Sequence, residues 1–394
     1  MFAGSSRAVT VLSVTQILTW GMLIYPPVLT MPVLTAAHGW SLAFGMAGFS
    51  LGLIVSGLLS PTVCGWIDRY GGNRPMGAGA IAGAAGLAGL AFADEPLSYF
   101  ACWILLGAAM SASLYDAAFA TLTTVFGATA RRQITFVTFA GGFASTVGWP
   151  ATHLLLAELG WRGTYLVFAA IFLLLIAPLH YFALPPARHH AAISQTSTDR
   201  APVLLTSDGK PFLLLAAAFA IYAFVLSGLT SNLLAMLQRG GLSATSVVAI
   251  GALFGPAQVA ARLADFVFAR HTNPLWIARA AVAVVACGLA TLALGGMSWP
   301  LAAAFALTFG AANGVITIAR GALPLLLFGP VGYGRVLGRI ARPALIVQAL
   351  APFLVASAIE RFSDQAALLG GVVACLVVLT CFLALHAPRS VHPK

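Results

Sequence analysis

Apolar residues run through this chain in long stretches broken by proline, glycine or charge. There are twelve, at about 8–34, 41–66, 76–93, 97–127, 133–157, 163–184, 211–236, 244–266, 275–295, 300–328, 336–359 and 365–387. An α-helix needs about 20 mostly apolar residues to cross the hydrocarbon of a bilayer, and these stretches are of that order. None alternates apolar and polar positions with the period of two that barrel strands of about 10 residues show. An open strand facing lipid would leave its backbone groups unpaired. The pattern predicts an all-α membrane protein with twelve transmembrane helices.

The pattern lapses once. "PPARHHAAISQTSTDRAPVLLTSDGKP", from Pro185 to Pro211, is polar, contains proline and has no room for a span. Six predicted helices precede it and six follow. It divides the chain into an N-terminal bundle, 1–184, a cytoplasmic linker, 185–210, and a C-terminal bundle, 211–394. The halves echo one another: the second helix ends "GWIDRYGGNR" and the eighth "ARLADFVFAR", with Asp68 and Asp265 197 positions apart in a chain of 394. Two parallel six-helix halves form a recurring plan of secondary transporters, which hold substrate near mid-membrane.

Composition narrows the class. Hydrophobic residues make up 60% and charged residues 8%, with mean hydropathy +0.96. Soluble domains carry about 25% charged residues. A soluble fold of this size could not hide so much apolar surface, so most of it must face lipid.

The formal charge of +10 is unevenly spread. With the N-terminus inside, the inner loops and ends hold Arg7, Arg69, Arg74, Arg131, Arg132, Arg188, Arg200, Lys210, Arg270, Arg279, Arg335, Arg339, Arg389 and Lys394. The outer loops hold only Arg162, Arg239 and Arg361. Basic residues favour the cytoplasmic side, so both termini are expected there. Trp40, Trp161, Trp276 and Trp299 fall near helix ends, where interfacial rings anchor. No basic stripe with interleaved aromatics points to nucleic acid. The first helix is too long for a signal-peptide core and reads as an uncleaved anchor. Arginines outnumber lysines eighteen to two and the chain is rich in Ala and Gly, which points to a GC-rich bacterial genome and an inner membrane.

Enzyme chemistry finds no footing. There are no paired carboxylates, no His-Glu-x-x-His, no phosphate-cradling glycine loop and no Ser/His/Asp elbow. The five cysteines lie in or beside apolar runs without metal-ligand spacing and read as small core residues. No metal or cofactor is expected, and with no ATP-binding motif to read, transport driven directly by ATP would be expected to need a separate chain.

Charges deep in the spans carry the candidate chemistry, since each costs about 2.5–3.5 kcal/mol at mid-membrane. Asp116 lies about 19 residues from the outer end and about 11 from the inner end of its span, too deep for a short side chain to reach water. It is a candidate proton carrier: burial raises a carboxyl pKa and a nearby arginine lowers it. A fixed ion pair or a helix cap is the structural alternative. Arg262 and Arg320 are similarly deep in the second half. Arg342 is about six residues from the inner end of its span and within reach of the surface. Three cations against one anion predict a positive site that would hold an anion. Arginine clamps a carboxylate with two parallel bonds. Gln16, Asn232, Gln258, Asn313 and Gln348 are polar groups deep in apolar runs that either meet substrate or link helices. Tyr25 and Tyr115 offer hydroxyls beside apolar walls, and His153 stands near an outer end.

The loop "CGWIDRYGGNRP" resembles the loop signature of the major facilitator superfamily: Gly, three residues, Asp-Arg, one residue, Gly, then basic residues. Cys64 stands at the first glycine, with Gly65 one place late, and one basic residue, Arg74, follows the glycines. The resemblance implies two rocking six-helix bundles, no enzyme activity and a monomer. It makes Asp68, Arg69, Gly71 and Arg74 a conformational gate rather than a substrate site.

Within the superfamily, "GPAQVAARLAD" and "LYDAAFATL" are similar to stretches of the monocarboxylate and oxalate/formate group. This implies that Arg262 binds a substrate carboxylate and that Tyr115 touches substrate. Gln258 replaces the aspartate that partners that arginine in animal monocarboxylate carriers, and "YPP" at Tyr25–Pro27 replaces their lysine after a proline. The expected function is secondary transport of a small, monocarboxylate-like organic anion with protons. Arg262, Arg320, Tyr115, Gln258, Tyr25, Asn313 and Asn232 would bind substrate and Asp116 would couple the proton. The alternative is an exporter of drugs or other amphipathic compounds.

Overall fold

The computed structural model describes residues 3–186, 209–268 and 272–386. They are helical almost throughout. Among the described residues the only β contact is an isolated antiparallel bridge, Gly71 to Pro186. The linker expected at 185–210 lies, apart from its first and last two residues, outside the described set, as do Arg188, Arg200, Arg270, Arg389 and Lys394 of the inner basic group.

Ten stretches are long and apolar enough to cross a membrane. Two features bring these ten into line with the twelve expected spans. Arg131–Ala183, 53 residues, has the length of two crossings. It changes course at Gly160, whose φ of 66° and ψ of −178° suit glycine alone. Asn73–Ala91, built largely of Gly and Ala, is helical but is not one of the ten.

The first half contains α1 (Ala3–Leu23), α2 (Pro27–His38), α3 (Leu42–Tyr70), α4 (Asn73–Ala91), α5 (Pro96–Ser113), α6 (Tyr115–Phe126), α7 (Arg131–Gly141) and α8 (Ala144–Ile171). Two π-helical segments, Phe172–Ile176 and Leu179–Ala183, extend α8. Prolines open α2 and α5 at positions where the missing N–H costs nothing. The Ser41 hydroxyl caps α3 by accepting from Phe44 N at 3.1 Å.

The second half contains α9 (Lys210–Arg239), α10 (Ala244–Phe268), α11 (Pro274–Gly295), α12 (Trp299–Phe328), α13 (Tyr333–Arg361) and α14 (Asp364–Ala384). Pro352 inside α13 has no N–H to give Gln348 O four residues earlier. The Ser227 hydroxyl of α9 donates to that carbonyl instead, at 2.9 Å. Arg279 of α11 donates to the carbonyls of Phe382, Leu383 and Leu385, closing the end of α14.

By proximity the chain forms two compact units. Unit 1 comprises Met1–Pro211, Leu323–Arg339 and His386–Lys394; unit 2 comprises Phe212–Ala322 and Ile340–Leu385. Each has an Arg–Asp clasp joining helix ends. In unit 1 Arg162 donates to Asp94 Oδ1 at 2.7 Å. In unit 2 Arg239 grips both oxygens of Asp364, at 2.9 and 2.6 Å.

Candidate functional site

Three spans of unit 1 are discontinuous, and the breaks place the candidate residues. The first stops at Leu23 and resumes at Pro27, because Pro26 and Pro27 cannot donate and disfavour helix before them. Tyr25 lies in this gap, half-buried, its ring 6.3 Å from Trp149. The fourth span breaks at Leu114, which is extended at φ −89° and ψ −170°. The fifth pauses at Gly142–Phe143 between α7 and α8.

The break at Leu114 leaves Ser113 O outside the helical ladder. Gln16 Nε2 donates to it at 2.7 Å and the Thr19 hydroxyl at 3.4 Å, both from α1. Gln16 Oε1 accepts from Trp20 Nε1 at 3.2 Å, and the Trp20 ring lies 4.9 Å from Tyr115. Tyr115 is 8% exposed and stacks on Phe119 at 5.4 Å. Asp116 follows it, half-buried in the first turn of α6. A carboxylate there meets the positive end of the helix dipole. Its depth in the fourth span thus coincides with a helix N-terminus that the break creates.

Asp68, at the end of α3, takes two backbone amides. Gly334 N and Arg335 N each donate to one of its oxygens at 2.8 Å, across the first turn of α13. This is an N-cap supplied by another helix. A Cβ at Gly334 would stand 2.5 Å from Cys64 O and 2.7 Å from Asp68 Oδ1, so glycine is required there. Gly338, one turn on, lies as close to Ser60 and Pro61. The glycine that Cys64 replaces in the loop signature is thereby matched by glycines on the opposing helix. Gly71, at φ 82°, ends α3 by donating to Ile67 O at 2.8 Å. Arg69 is exposed with its guanidinium 5.3 Å from the Tyr70 ring, and Arg74 is exposed in the first turn of α4.

In unit 2, Arg262 is 5% exposed on α10. It donates to Gln258 Oε1, one turn earlier, at 3.2 Å and to Gly314 O of α12 at 3.5 Å. α12 comes this near because a Cβ at Gly314 would meet Gln258 O at 2.6 Å. Asn313, 9% exposed, precedes that glycine, and Arg320 lies half-buried six residues further along α12. Arg262 and Gln258 therefore belong to one α10–α12 seam, and Asn313 stands beside its glycine. Asn232 of α9 is engaged elsewhere: its Nδ2 donates to Gly228 O at 2.9 Å and Pro352 O at 3.4 Å. Arg342 is exposed on α13.

Sequence reasoning missed two features. Asp265, noted only as the counterpart of Asp68, is 8% exposed and sits three residues after Arg262. The cation surplus within unit 2 is smaller than counted, and the spacing of three was the available signal. A cluster at the far end of α2 and just after Gly160 in α8 also escaped notice, because its members are separated in sequence. His38 contacts Asp94, and Arg162 contacts the same carboxylate. Those two partners, His38 first, hold the Asp94 carboxyl below the usual carboxylate range. Among the described residues no group of three or more His, Cys, Asp or Glu could hold a metal ion, and all five cysteines are free thiols.

No curated protein matches the chain in sequence. Among solved structures, the human organic anion transporter MFSD10 (TETRAN) superposes with a TM-score of 0.74 at 17% identity, covering 96% of this chain and 99% of that one. The E. coli fucose:proton symporter FucP superposes with a TM-score of 0.75 at 13% identity, covering 96% and 98%. At such identities the likeness is one of fold. The family model of the Major Facilitator Superfamily matches residues 10–341. With the two-unit helical fold and the Asp68 loop, that match makes this chain a transporter of the Major Facilitator Superfamily.

Proposed function

We propose that the chain carries a small organic anion of monocarboxylate type, together with protons, by rocking of its two helical bundles. The observation that supports this most directly is Arg262, nearly wholly buried on α10 and hydrogen-bonded to Gln258 Oε1 and Gly314 O. Burying a guanidinium is costly, and buried charges in membrane proteins usually serve function. With Arg320 on the neighbouring helix, α10 and α12 would offer a carboxylate two cations, offset in part by Asp265, and guanidinium geometry suits a two-pronged grip. Tyr115, Tyr25 and Asn313 would complete substrate contact, while Asn232 acts through the α9–α13 link. Asp116, at the α6 N-terminus, would take and release the proton. Asp68, Arg69, Gly71 and Arg74 would form the gate, the two amide bonds of Asp68 breaking and re-forming in each cycle. The spread of basic residues supports cytoplasmic termini, and the excess of arginine over lysine supports a bacterial inner membrane.

The name of one structural neighbour includes organic anion transport and that of the other proton symport. Both agree with this reading, but its weight rests on the arginines. The decisive experiment is uptake of labelled monocarboxylates into proteoliposomes with an imposed proton gradient. Arg262→Ala should reduce uptake by about 100-fold, the scale of a charge-assisted two-bond contact of about 3 kcal/mol. Its thermal midpoint should stay within a few degrees of wild type. Full uptake by that variant, or a preference for lipophilic cations in a binding screen, would replace this reading with an exporter of amphipathic compounds.

A further inference from the structure

We propose that His38, held by Asp94, whose same oxygen Arg162 also engages, is a proton-binding site that fastens the free end of α2 and is separate from Asp116. The geometry of the ring carries the proposal. Nδ1 lies 2.8 Å from Leu34 O and Nε2 lies 3.3 Å from Asp94 Oδ1. Both neighbours are acceptors. A neutral imidazole has one N–H and an imidazolium has two, so only the charged ring closes both contacts. In the neutral ring one lone pair faces an oxygen.

The ring is closely packed. The His38 side chain is 9% exposed. It stacks on Trp40 at 4.6 Å and meets the Trp161 ring edge-on at 5.5 Å. Aromatic faces attract cations. The charged groups facing it are Asp94, from the α4–α5 connection, and Arg162, from α8. Arg162 shares Asp94 Oδ1, but it also donates Nε to Ala91 O at 3.1 Å and lies 4.3 Å over Trp161. The nearby phenols are already engaged: Tyr99 with Gly45 O and Tyr165 with Thr30 Oγ1.

The position gives the proton something to move. α2 joins α1 only through the Ile24–Pro26 gap, and its far end stops at Gly39, in the left-handed region at φ 66°. Its other side-chain ties, Thr30 to Tyr165 and Met31 to Tyr99, are neutral. Histidine is the side chain that ordinarily changes charge between pH 5 and 8. A lower pH at this end of the molecule therefore adds a second bond to the tip of α2. A higher pH loosens a segment that starts two residues after Tyr25.

The inference does not depend on the identity of the substrate. Its test is hydrogen exchange across residues 27–44 of the full chain in nanodiscs, corrected for intrinsic exchange rates, at pH 5.5 and pH 8. In the wild type, opening of α2 should be about tenfold more frequent at pH 8, as expected for loss of a contact worth about 1.4 kcal/mol. In His38→Gln and Asp94→Asn the ratio should fall below about twofold. A wild-type ratio near one would overturn the proposal without either variant. So would an unchanged tenfold ratio in His38→Gln.

Discussion

Asp68 shows what one side chain can hold. Its two oxygens serve two amides of α13, and the short approach depends on the absence of a side chain at Gly334. Asp68→Ala should lower stability by about 1–3 kcal/mol, since bonds to a charged acceptor are lost and two amides lose their partner. Gly334→Ala should cost a similar amount by overpacking. Thermal unfolding in detergent checks both, and a neutral Gly334→Ala would refute the close contact. Asp94 yields a prediction about pH. Its carboxyl is held below the ordinary value of 3.8, so its clasp contributes at neutral pH and the contribution fades as pH falls through that lowered value. Asp94→Asn should lower the thermal midpoint at pH 7 and leave it unchanged at the most acid pH where the protein stays folded. The sequence loop displayed Asp68 and Gly71 openly. Gly334 was invisible, because a close approach belongs to a helix 266 residues away.

At the scale of elements, the helices are held together where their ladders fail. Pro26–Pro27 announced the first gap, since two prolines in a row cannot continue a helix. The gap at Leu114 had no such sign: neither Gly nor Pro occurs between Ser111 and Asp116. It persists because Gln16 and Thr19 reach Ser113 O from another span, which no local pattern reveals. This is why Asp116 read as a charge in mid-helix and proved to lie in a helix's first turn. Ser227 and Pro352 give the sharper test. Ser227→Ala should cost about 0.5–2 kcal/mol, the usual worth of a hydrogen bond between membrane helices. In a Pro352→Ala background residue 352 can serve Gln348 O itself, and the cost should shrink. Additive effects in the double variant would show that the hydroxyl is not standing in for the missing amide.

For the whole molecule, hydrophobic runs and composition made the helical plan legible, because lipid allows few ways to bury backbone. The two compact units were harder to read, since proximity places Leu323–Arg339 with the first half. Charge sidedness can be tested directly. Two of the three arginines assigned outside, Arg162 and Arg239, are paired with Asp94 and Asp364, which reduces positive charge on that side. In a background lacking native cysteines, a cysteine at Arg74 should react with an impermeant thiol reagent only in inside-out vesicles, and one at Glu95 only in right-side-out cells. The reverse labelling would invert the orientation.

The grip of Asp68 reads peptide groups and ignores what residue 335 displays to solvent. Swapping that arginine for glutamine or serine should leave the latch intact, so this stretch can drift or be tagged. The carboxylate and its glycine have no such latitude.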